Sequence, residues 1–107
     1  MKLVMAIVSN DDANKVMSEL IANRFMVTKL ATTGGFLKSG NTTMIIGVDD
    51  KSVPDVVKII QRDSAKRKKL VPNAVVSEFG VLNSTPMEVN VGGSTIFVLD
   101  VAEFHKL

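Results

Sequence analysis

Leu3-Val4-Met5-Ala6-Ile7-Val8 is the stretch whose reading decides the fold. Six apolar residues in a row lack the alternation of a half-exposed strand, and the run is too short for a buried helix. A short unbroken run of this kind is what a strand covered on both faces shows. Asn10, Asp11 and Asp12 follow at once and offer side-chain oxygens to cap a helix. Ala13, Val16, Met17, Leu20 and Ile21 then recur at helical spacing as one stripe, and Asn23 stops the helix.

Working outward, residues 25–33 predict a second strand, with Val27, Thr28, Thr32 and Thr33 favouring extended backbone. A glycine-rich connection covers 34–41, and 43–48 is a third, nearly continuous apolar strand that Asp49 and Asp50 end. Ser52 and Asp55 stand in capping-box relation, with Pro54 in the first turn of a second helix. Val53, Val56, Val57 and Ile60 form its stripe, and the basic run 62–69 reads as its solvated end. Residues 71–86 mix apolar residues with Pro72, Gly80 and Pro86 and read as a long, partly extended loop. Residues 87–91 alternate, and Gly92-Gly93 predicts a hairpin turn into a strand over 94–99.

The order is β-α-β-β-α-β with an added strand. It predicts an α+β chain, a ferredoxin-like (split βαβ) sandwich with an added C-terminal β-hairpin strand, forming a single domain over 1–107. Two helices cover one face of such a sheet. The strands at 3–8 and 44–48 are apolar on both faces, so the uncovered face calls for a second copy of the chain.

Composition excludes several functions. There is no cysteine, and therefore no disulfide or thiolate metal site. The single histidine, His105, reads as a surface residue, and the pairs Asp11-Asp12 and Asp49-Asp50 read as caps. No nucleophile, base and orienting group stand together, so no catalytic, metal or cofactor site is expected. A formal charge of +2 and a basic run, 66–69, without interleaved aromatics argue against nucleic acid. The first apolar run is too short for a signal peptide or a membrane span. A cytoplasmic protein is expected.

The most distinctive segment is Thr32-Thr33-Gly34-Gly35-Phe36-Leu37-Lys38-Ser39-Gly40-Asn41-Thr42-Thr43. Three glycines let a backbone approach a ligand and expose its N–H groups. Phe36 offers a flat apolar surface, Asn41 an amide and Lys38 a charge. The pattern matches neither a P-loop nor a dinucleotide fingerprint. Taken alone, it fits a ligand loop and a plain interstrand loop equally.

The run 28–43, followed by Gly47-Val48, resembles the signature of the PII-like cyclic-di-AMP receptors of Gram-positive bacteria (the PstA or DarA type). Residues 1–8 and 89–99 resemble that family too. The resemblance implies a PII-like trimer without catalytic activity that binds cyclic-di-AMP in clefts between adjacent subunits and rearranges its loops. Thr28, Phe36, Leu37, Asn41, Gly47 and Phe97 match positions associated with that pocket, and Gly35 joins them as a candidate. Phe36 and Phe97 suit packing on adenine, Asn41 a base edge and Thr28 a phosphate.

Relatives usually carry asparagine where this chain has Arg24, and arginine where it has Met26. Both positions are therefore candidates as well. If Arg24 and Met26 shared one strand they would point to one face, and Arg24 could stand in for the arginine. Residues 71–86 lack the Gly/Pro-rich run of many relatives. The expected function is a homotrimeric signalling protein that binds cyclic-di-AMP and acts on a downstream protein. The alternatives are a paralogue for another adenine nucleotide, or an interaction protein that has lost its ligand.

Overall fold

The computed structural model describes residues 1–30, 40–71, 74–77, 80–83 and 86–107. Strand β1 (Lys2–Ser9) runs into helix α1 (Asn10–Ala22), and β2 (Val27–Leu30) precedes β3 (Asn41–Val48). A 3-10 turn (Asp50–Ser52) leads into α2 (Val53–Asp63). Then come β4 (Arg67–Val71), β5 (Ala74–Ser77), β6 (Gly80–Asn83), β7 (Met87–Val91) and β8 (Ser94–Asp100).

The main sheet is antiparallel in the order β2-β3-β1-β8. This is the strand order of the split βαβ arrangement, with β8 as its fourth strand, so the α+β ferredoxin-like expectation holds. Burial alternates along β1 with period two: Val4, Ala6 and Val8 are buried, while Leu3, Met5 and Ile7 are only partly so. Val4, Ala6 and Val8 join Met44, Ile46 and Val48 of β3 under both helices. The helices close the core with Val16 and Leu20 of α1 and Val56, Ile59 and Ile60 of α2. Ile21, counted in the first stripe, is exposed instead.

The other face of the sheet carries Leu3, Met5 and Ile7 on β1, and Thr43, Ile45 and Gly47 on β3. It also carries Thr28 on β2 and Phe97 and Leu99 on β8, as the register dictates. No helix covers it. Phe97 and Leu99 are 46% and 44% exposed, so the expectation of an apolar face left uncovered by two helices is met.

Three local expectations change. First, β7 does not pair with β8. It pairs with β4, while β8 pairs with β1. Gly92 and Gly93 both have positive φ, 83° and 86°, which is also what a two-residue hairpin turn demands. The dipeptide instead lets the chain leave one sheet and enter another. A Cβ on Gly92 would run into the Ala65 carbonyl and lie 2.9 Å from Arg67 Nη1. Gly93 N–H donates to Ser64 O at 2.5 Å.

Second, the basic run is not a helix end. The helix stops at Asp63, and Ser64 closes it through its N–H and its hydroxyl, both donated to Ile60 O. Residues 67–71 then form β4. Third, 71–86 contains a short antiparallel pair, β5 with β6.

The caps also differ from expectation. Ser9, not 10–12, is the N-cap of α1, and Ser52 makes no side-chain cap because the 3-10 turn runs straight into α2. Asp11 and Asp12 still lie in the first turn, where the helix dipole favours them.

Candidate functional site

A cavity of about 490 Å³ opens at one end of the uncovered sheet face, within the usual range for small-molecule sites. Leu3, Ile45 and Gly47 come from the sheet itself, and Met26 and Thr28 from the β2 side. Met1 and the segment after β8 supply the rest: Val101, Phe104, His105 and Lys106. Val101 N–H reaches back to Met1 O at 3.4 Å, which brings that segment across the start of β1.

Gly47 has a physical reason to be glycine here. A Cβ at this position would meet only Met1 Cε, at 3.5 Å, and would otherwise project into the cavity. Thr28 brings a hydroxyl and Met26, 80% exposed, a thioether. The lining is otherwise apolar, apart from His105 and Lys106 at one side.

Among the predicted site residues, the structure brings Met26, Thr28 and Gly47 together. Asn41 is the first residue of β3 rather than part of a loop. It lies six residues from Gly47, roughly 20 Å along the strand. Phe97 stands on the same face, but far from Thr28. The pairs Thr28 with Ile45, Ile45 with Met5, and Met5 with Phe97 form one row across four strands. Three strand spacings separate its ends by about 14 Å. Gly35, Phe36 and Leu37 lie outside the described residues.

Arg24 corrects the sequence reading. It is not on a strand with Met26. With φ of 68° it occupies the left-handed position that ends α1. Arg24 N–H donates to Ile21 O at 2.9 Å and Phe25 N–H to Leu20 O at 3.0 Å. This is the paired bonding of a Schellman motif, in which glycine or asparagine is the usual residue. Arg24 does not line the cavity.

Phe104, His105 and Lys106 are lining residues that the sequence did not mark. A seven-residue segment beyond the last strand has no periodicity, so only the tertiary structure reveals where it lies.

A second polar centre stands at the start of α1. Asn10 N–H donates to Gly40 O at 2.8 Å, and the Thr42 hydroxyl donates to Asn10 Oδ1 at 2.5 Å. Asp12, almost fully buried, accepts two bonds from Arg67 of β4: Nη2 to Oδ1 at 2.8 Å and Nη1 to Oδ2 at 3.2 Å. The Arg67 hydrogen bond holds the Asp12 carboxyl below its ordinary range. Burial opposes it, and the Ser9 hydroxyl at 3.2 Å adds to it.

The family model for cyclic-di-AMP receptors matches residues 1–107. The chain belongs to the cyclic-di-AMP receptor family. A crystal structure of a functionally unknown protein from Pediococcus pentosaceus ATCC 25745 is similar to it, at 40% identity and a TM-score of 0.77. That match covers 99% of this chain and 96% of the other. The described residues hold no cluster of three or more His, Cys, Asp or Glu suited to a metal. No helix among the described residues is long and apolar enough to cross a membrane.

Proposed function

We propose that this chain is a non-enzymatic, PII-like signalling protein that binds cyclic-di-AMP in clefts between the subunits of a cytoplasmic homotrimer. The observation that carries the reading is the cavity holding Met26, Thr28 and Gly47 on the open face of a receptor-family chain. The separation of Thr28 from Phe97 supports the shared cleft. Residues at opposite edges of one face meet a single ligand when the β8 edge of one copy approaches the β2 edge of the next. The half-exposed Phe97 and Leu99 give such a contact its apolar surface.

Ligand occupancy rearranges residues 34–41 and 71–86 and so alters the contact with a downstream protein. Support comes from the start of α1, where Asn10 holds Gly40 and Asp12 holds Arg67. The first bond holds the end of 34–41, and the second holds the start of β4, the strand that leads into 71–86.

Sedimentation and isothermal titration test the reading together. A three-chain species that binds cyclic-di-AMP is expected. A well-behaved monomer removes the shared cleft, and preference for another adenine nucleotide makes the chain a paralogue with a different ligand.

A further inference from the structure

Strands β4 and β7 form a two-stranded ribbon apart from the main sheet. Two short connections join it to the body: 64–66, between α2 and β4, and Gly92-Gly93, between β7 and β8. They run side by side. Gly93 N–H donates to Ser64 O, and Gly92 lies so close to the Ala65 carbonyl that no Cβ would fit. Two consecutive glycines with φ of 83° and 86° give this crossing a backbone that other residues adopt only at a cost, and one that turns with little steric resistance. Two short connections at one place are what a hinge is made of.

Beyond the hinge, one residue pair fixes the direction of the ribbon. Among the described residues, the only side-chain hydrogen bonds from the ribbon to the helical layer are the two that Arg67 donates to Asp12. Lys68 pairs with Glu88 inside the ribbon itself. Both partners of the tie are positioned for it. Arg67 Nη1 also donates to Ala65 O at 3.2 Å, within the hinge, and Asp12 Oδ2 accepts the Ser9 hydroxyl at 3.2 Å. Apolar burial does not orient the ribbon in their place: Leu70 and Met87 are 67% and 50% exposed.

We propose that Asp12 and Arg67 form a latch on a hinged ribbon. Closed, it holds β4 and β7 in one direction against α1; open, the ribbon swings as a unit about 64–66 and 92–93. A forked guanidinium–carboxylate pair suits a latch, because it fixes direction as well as distance. The ribbon leads into β5 and β6, so the latch decides where that end of the chain is presented. This device goes beyond the ligand reading and operates in the free chain.

The chain has no cysteine, so spin labels can be placed at will and the distance between two of them measured by electron resonance. Ser18→Cys on α1 with Asn90→Cys on β7 reads the ribbon against the body. Ser18→Cys with Lys58→Cys on α2 reads the body alone. Labelled chains are refolded with an excess of unlabelled chain, so that only distances within one chain are seen. One narrow ribbon–body distance is expected with the latch intact. Arg67→Ala and Asp12→Asn should each replace it with a broad distribution, while the body distance stays unchanged. A ribbon–body distance that stays narrow in both variants overturns the latch, and one already broad with the latch intact overturns it too. Broadening of the body distance as well would make the pair a support of the whole fold and overturn the hinge.

Discussion

Arg67 reaches from β4 to the first turn of α1 and grips Asp12 with both Nη atoms, at 2.8 and 3.2 Å. The pair ties the β4–β7 ribbon to the helical layer. Asp12 is buried and Arg67 half-exposed, so the bond is worth more than a surface pair and less than a fully buried one. Arg67→Ala leaves a buried carboxylate without its main partner, and a loss of about 1–2 kcal/mol is expected. Denaturant unfolding of the variant measures it, and an unchanged midpoint contradicts the account.

The same pair predicts a pH dependence. Asp12 has a lowered pKa in the folded chain, so the folded state holds fewer protons here than the unfolded one. The stability it contributes is present above the unfolded value, about 3.9, and is lost as pH falls from there through the lower folded value. Thermal melts of wild type and Asp12→Asn across pH 2–7 should therefore differ most at neutral pH and converge in acid. A constant gap down to pH 2 would mean that the carboxylate charge is not what Arg67 recognises.

Arg24 marks a place where the chain works against local preference. A side chain in the left-handed region costs about 1–2 kcal/mol, a cost that glycine avoids. Glycine gives back part of the gain through its freer unfolded state. Arg24→Gly is expected to stabilise by about 0.5–1 kcal/mol and to raise Tm by roughly 2–6 °C. A melting curve that moves downward would show that the arginine side chain holds something through contacts beyond its backbone position.

Much of this fold was legible from 3–8 and the two helical stripes, because buried periodicity is set by the residues themselves. The errors fell where the same local chemistry serves two geometries. Gly92-Gly93 supplies two positive φ angles whether the chain turns back or changes sheet, and the choice rests with distant partners, β1 and β4. The run 67–71 carries three cations that suit a solvated helix end, yet its strand is specified by β7. Motif resemblance singled out Met26, Thr28 and Gly47, which the structure sets in one cavity, but the place of Phe104 and Lys106 on the same wall depends on where 101–106 comes to lie.

Gly47 predicts a clean separation of fold from binding. Its backbone is ordinary strand, and a Cβ meets only one methionine methyl at ordinary contact distance. Gly47→Val suits a strand and should leave stability within about 1 kcal/mol of wild type. Its branched side chain would occupy the cavity and lower cyclic-di-AMP affinity by more than about tenfold, as displacing a fitted ligand group does. Titration and melting on the same sample decide it. Full affinity with an intact fold would place the ligand elsewhere.

Met26 offers the most direct test of phosphate recognition. It lines the cavity from the β2 side and is 80% exposed, so a longer side chain fits without repacking the core. A thioether cannot make the charge-assisted fork that a guanidinium makes with a phosphate. One such interaction is worth roughly 1.5–3 kcal/mol, and each 1.4 kcal/mol is about tenfold in affinity. Met26→Arg is therefore expected to tighten cyclic-di-AMP binding by about tenfold or more, with a gain that shrinks in high salt. Arg24→Ala serves as the comparison. Because Arg24 ends α1 and stays off the cavity, its removal should leave affinity unchanged. Isothermal titration of wild type and both variants at two salt concentrations separates the outcomes. Loss of binding in Arg24→Ala, with no gain in Met26→Arg, would mean that Arg24 reaches the phosphate from outside the cavity and that the charge on the β2 side is already supplied.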